Sequence, residues 1–155
     1  MAYRAEFNDI ILPIPNEGPL YHDGWIALVL SPLTAFAYID QSTIKYRIHS
    51  GQCIGIPAPY KLNQLTAETR TAPQHYLAQA AQFREAYKRL ASSPHGLSDR
   101  SSLTKLQKKI QHLEARASLP IRRRLRLRHV FKELANLHYH RYSKGWLSAG
   151  KDLLV

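Results

Sequence analysis

Two hydrophobic periods run along the chain and divide it. Between residues 44 and 49, apolar Ile44, Tyr46 and Ile48 alternate with Lys45, Arg47 and His49. That period of two predicts a strand with three basic groups on one face. The apolar and aromatic AFAYI just before it, at residues 35–39, predicts a second strand, with Asp40-Gln41-Ser42 supplying turn chemistry between them. Beyond residue 72 the period becomes helical. Tyr76, Ala80, Phe83, Tyr87 and Leu90 recur at spacings of 4, 3, 4 and 3, and Leu103, Leu106, Ile110, Leu113 and Ala117 at 3, 4, 3 and 4. These are the seams of two helices packed on each other, joined through SSPHGLSDRSS as an antiparallel hairpin. Pro120 separates them from a third helix, with an apolar stripe of Leu127, Val130, Phe131, Leu134, Leu137 and His138, which Gly145-Trp146 ends.

Upstream, Arg4 to Ile11 reads as a helix halted by Pro13 and Pro15. A short buried helix then follows Asp23, which stands where an N-cap would, and Ser31-Pro32 closes it. Gly51, Gly55, Pro57 and Pro59 break the strand pattern and mark a boundary. The expected architecture is therefore α+β: a few strands and short helices over residues 1–56, then a helical tail of about three helices over 57–155.

Charge sharpens this division. The chain carries 22 Lys and Arg against 11 Asp and Glu, a formal +11, but residues 1–60 hold three basic and five acidic groups, a net −2. The basic excess of +13 thus lies in the remainder, which argues against a uniformly basic nucleic-acid coat. A single cysteine, Cys53, allows no internal disulfide, and the polar opening MAYRAE is no secretion leader, so a cytoplasmic protein is expected. The most apolar stretch, residues 24–39, falls short of the roughly 20 residues of a spanning helix and contains Pro32.

Taken singly, the residues capable of chemistry have plain structural readings. Asp23 suits an N-cap, and a lone histidine such as His49 is more often structural than a ligand. Cys53 reads as a small buried residue. His138 and His140 point about 200° apart on a helix, which excludes them as a metal pair with each other. Arg122, Arg123, Arg124, Arg126 and Arg128 form either a solvated helix face or a surface for anionic lipid or nucleic-acid phosphates.

In order, however, the segments MAYRAEF, ILPIP, HDGWIAL and YIDQSTIKYRIHSGQ, with Ile54-Gly55 after it, make a recognisable set. It resembles the second half of the catalytic domain of bacterial family 2 glycosyltransferases of the rhamnosyltransferase-like kind. HYHRYSKGWLSAGKDLL is similar to their closing segment. The resemblance implies a GT-A-type fold and transfer of a sugar, with inversion, from a nucleotide-sugar donor to a glycan or lipid-linked acceptor. Asp23 matches the general base of that family, with His22 and Trp25 beside it at the substrate. Arg47 and His49 match the place of a diphosphate contact, His49 also that of a metal contact. A divalent cation, Mg or Mn, is implied for the complete enzyme.

The sequence departs from the family at Gly24, Ile48 and Gln52, and no pair of carboxylates at DxD spacing occurs in it. It is therefore expected to be the C-terminal half of a longer enzyme, inactive alone, with an unpaired sheet edge and exposed apolar surface. The arginine run is expected to rest on an anionic membrane, at the inner face, where lipid-linked acceptors reside. A different class of reading also stays open: a non-enzymatic basic helical module that binds nucleic acid or an acidic partner through the same arginines.

Overall fold

Leu90 of one long helix packs with Leu106 of the next, while Tyr76 and Ala80 pack with Ile110 and Leu113, so the pair runs antiparallel as the two seams predict. In the computed structural model, which describes residues 1–45, 72–97, 99 and 101–154, these are α3 (Pro73–Ala91) and α4 (Ser101–Ala117). Before them come a 3-10 turn (Ala5–Phe7), α1 (Asn8–Ile11) and α2 (His22–Leu30). After them come α5 (Arg123–Ala135), α6 (His138–Tyr142) and α7 (Trp146–Leu154).

The α+β, GT-A-type expectation is corrected here: every regular element among the described residues is helical. Residues 35–45, where AFAYI and the start of the alternating segment lie, form no strand. The physical reason is that an alternating pattern encodes a strand only when a second strand takes its backbone hydrogen bonds and a core covers its apolar face. Neither is present among the described residues, and Phe36, Tyr38, Ile39 and Ile44 stand 56–89% exposed. The chain divides into one unit of residues 1–34 with 69–155 and another of 35–68. Residues 1–34 share a core with α3 and α4, and the boundary expected near residue 56 lies outside the described residues.

That core contains Ile10, Ile11, Trp25, Ile26, Val29 and Leu30 against Ala86, Leu90 and Leu106. Its backbone is fastened by two side chains of α3. Arg89 donates to the carbonyls of Ile10, Ile11 and Pro13 at 3.1, 3.0 and 2.9 Å, which satisfies the end of α1 where prolines forbid further helix. Gln82 holds Leu20 from both sides, its Oε1 accepting from the Leu20 N–H at 2.9 Å and its Nε2 donating to the Leu20 carbonyl at 3.1 Å. Gly18 passes beside that amide at φ 114°, and a Cβ built there would stand 2.2 Å from Gln82 Cδ. A larger residue there would be strained by that φ and would push Gln82 from its contacts with Leu20.

A third cluster, Leu119, Val130, Tyr139 and Ala149, unites α5, α6 and α7. The expected single third helix is broken at Leu137, which adopts a left-handed φ of 59° between α5 and α6. Gly145 then closes α6 at φ 58°, its N–H donating to the Tyr139 carbonyl at 2.9 Å. The expected apolar stripe of α5 also needs correction. Val130 is buried, but Leu127, Phe131 and Leu137 are 45–61% exposed. The face turned inward instead carries Arg126, whose guanidinium donates to the carbonyls of Pro120, Ile121 and Asp152 at 2.6, 2.8 and 3.2 Å. A buried arginine that caps three carbonyls displaces leucines from the inner face, which hydrophobic periodicity alone does not reveal.

Candidate functional site

Asp23 is the second residue of α2, with Tyr21 as the N-cap, so it stands two residues past the capping position expected for it. A carboxylate in the first turn is still favoured by the partial positive charge of the helix start. It is exposed, as is His22, and one of its oxygens accepts the Gly24 N–H at 2.8 Å. Trp25, two residues on, is fully buried. Its indole N–H donates to the Ile11 carbonyl at 2.9 Å and the Arg89 guanidinium sits 5.1 Å over its ring. Of the HDGW segment, His22 and Asp23 thus face solvent while Trp25 anchors the turn that bears them. Arg47 and His49, the other substrate and metal candidates, lie outside the described residues, as does Cys53.

A second polar group is built between α4, α5, α6 and α7. Arg116 of α4 forms a two-pronged ion pair with Asp152 of α7, at 2.6 and 3.0 Å. The same guanidinium donates to Tyr76 at 2.7 Å and to Ser143 at 3.0 Å, and lies 4.4 Å over the Tyr76 ring. Tyr139 donates to Asp152 at 2.7 Å. Burial opposes the Arg116 charge, but Asp152 outweighs it and raises the pKa further, so the guanidinium stays ionised. Burial, with the Asp152 charge beside it, drives the Tyr139 phenol well above its ordinary pKa.

The network continues from Ser143 to histidine. Ser143 Oγ lies 2.9 Å from His112 Nε2, and His112 Nδ1 lies 2.6 Å from Glu133 Oε2. His138 Nδ1 approaches the same Glu133 oxygen at 3.1 Å. His112 is fully buried, and desolvation lowers its pKa against the opposing pull of Glu133, which favours the neutral imidazole. One turn back, Lys109 donates to the Tyr142 carbonyl, and desolvation, reinforced by Arg116, brings its pKa down to about 8.

Lys109 also lines a cleft with Lys105 and Arg141 over a floor of Leu28, Phe83 and Leu106. His112, Arg116 and Glu133 were missed because each sits beside an apolar seam in a segment without family motifs, and Asp152 because the closing segment that holds it gives no sign of its partner 36 residues away. The only signal for them in the sequence is the row Lys109, His112 and Arg116, whose spacings of 3 and 4 put three polar groups on one flank of a packed helix.

Four of the five arginines of the basic run, Arg122, Arg123, Arg124 and Arg128, are exposed, whereas Arg126 is the buried clamp described above. No helix among the described residues is long and apolar enough to cross a membrane. Comparison with protein-family models, with curated proteins and with solved structures finds no match.

Proposed function

We propose that this chain contributes the acceptor side of an inverting glycosyltransferase, with Asp23 as the base that takes the acceptor hydroxyl proton. The observation that carries the reading is the exposed carboxylate of Asp23 on the first turn of a helix fixed by a wholly buried tryptophan, within HDGWIAL. A general base must be reachable by substrate yet held in direction, and the Trp25–Ile11 and Arg89 contacts supply that rigidity. In the reaction, the acceptor oxygen attacks the anomeric carbon as its proton passes to Asp23. The bond to the donor's diphosphate breaks with its electron pair, and the nucleoside diphosphate leaves.

The chain has no DxD pair, so the donor and any Mg or Mn ion that accompanies it call for a donor-binding part outside these residues. Phe36, Tyr38, Ile39 and Ile44 are exposed apolar groups that such a part would cover. The mixed basic and apolar outer face of α5 is read as resting on an anionic membrane, which would bring lipid-linked acceptors to Asp23. Sugar transfer from a nucleotide-sugar, measured with the donor-binding part supplied, tests the reading. Asp23→Asn is expected to lower turnover by at least about 100-fold, and full activity in that variant would remove Asp23 from the reaction.

A further inference from the structure

Three metal-ligating side chains from three different helices converge on one point, outside the Asp23 region. His112 comes from the middle of α4, Glu133 from the last turn of α5 and His138 from the start of α6, and one ligand atom of each lies within 4.8 Å of the others. The two closest separations, 2.6 Å and 3.1 Å, both end on Glu133 Oε2. Ligands around a tetrahedral zinc at about 2.0–2.2 Å stand roughly 3.4 Å apart. The group therefore needs to open by less than about 1 Å to admit the ion.

We infer that His112, Glu133 and His138 form a binding site for a zinc-class divalent transition metal. The donor set decides the class of ion: two imidazoles and one carboxylate suit zinc and its neighbours, whereas magnesium and calcium require oxygen ligands. The surroundings fit as well. Ser143 Oγ, 2.9 Å from His112 Nε2, holds the ring from behind and is itself held by Arg116, the arrangement by which outer groups orient a ligating histidine. His112 is fully buried, while the Glu133 and His138 side chains are 15% and 20% exposed, so an ion has an entry path and the fourth position can be water. The Arg116 charge, which bears on His112, is balanced by Asp152. Bound there, the metal would tie α4 to the α5–α6 junction, where Leu137 holds its left-handed turn.

The test is zinc titration of the untagged, chelator-treated full chain by calorimetry, with cobalt(II) absorption as a second readout of geometry. One equivalent with a dissociation constant on the order of 1 µM or tighter is expected, together with the visible bands of four-coordinate cobalt. His138→Ala and Glu133→Gln, both at partly exposed positions, are each expected to weaken binding at least about tenfold and to abolish those bands, while circular dichroism shows the helices intact. Ser143→Ala is expected to weaken it about 10- to 100-fold through His112 orientation. No uptake by the folded wild-type chain, or uptake that both ligand variants leave unchanged, overturns the assignment. Because the readout is metal binding and not sugar transfer, it stands or falls separately from the Asp23 reading.

Discussion

Arg116 and Asp152, 36 residues apart, meet as a buried two-pronged ion pair that ties the end of α4 to the C-terminal helix α7. Breaking such a pair from one side leaves an uncompensated buried charge, a cost of about 3–5 kcal/mol. Asp152→Asn keeps the shape and removes the charge, so it is expected to destabilise the chain by that amount in urea unfolding. Tyr139→Phe, which removes one donor to the same carboxylate, should cost about 1 kcal/mol. The double change Arg116→Met with Asp152→Leu removes both charges and is expected to recover most of the loss, since an apolar pair of similar volume escapes the desolvation penalty. If Asp152→Asn were as stable as the parent, the pair would not hold α7.

This pair also shows where sequence reading stops. The helical hairpin was legible because Tyr76, Ala80, Leu106 and Ile110 belong to seams whose period is set by local geometry. Trp25 and Arg89 were not legible as partners, because a side chain of α3 that caps the carbonyls of α1 leaves no periodic trace across more than 70 residues. The same holds for Arg126, counted with a basic surface run and found capping carbonyls in the core. The spacing of His138 and His140 says nothing of the side chains that do come near His138, which are His112 and Glu133, brought there only by the fold. The strand expected over residues 35–39 failed for the converse reason: its apolar signal was local, but a strand requires partners that a local signal cannot supply.

Lys109 gives a pH dependence whose sign follows from its burial. Its folded pKa of about 8 lies below the unfolded value of 10.5. Between these values the unfolded chain binds a proton that the folded chain has released, so stability rises with pH across this window. Tyr139 acts oppositely. Its raised folded pKa contributes stability that is fully present below the unfolded value of 10.0 and is lost as pH climbs beyond it. Urea midpoints at intervals from pH 7 to 11 are therefore expected to climb above pH 8 and to turn down past about 10. Lys109→Met should flatten the climb and leave the downturn. A lysine resonance at position 109 that titrates with the other lysines, near 10.5, would show that the side chain is not held in its buried contact with the Tyr142 carbonyl.

The outer arc of α5 is chemically mixed in a manner that separates lipid from nucleic acid. Arg124, Arg128 and Lys132 recur at spacings of four, and Leu127 and Phe131 stand among them at the same spacing, both exposed. Ile121, just before the helix, is 89% exposed. Phosphates on a nucleic acid would be met by the cations alone, whereas an anionic membrane interface takes the cations at its headgroups and the apolar side chains just beneath. Each basic group near such a surface is worth about 1 kcal/mol, so Arg124→Gln with Arg128→Gln is expected to weaken co-sedimentation with phosphatidylglycerol vesicles by roughly 30-fold. Phe131→Ser should weaken it as well, and should blunt the residual binding that persists at high salt, because its contribution is apolar burial and not charge. Retention on RNA that is lost with the two arginines and untouched by Phe131→Ser, without vesicle binding by the parent chain, would instead identify α5 as a nucleic-acid surface.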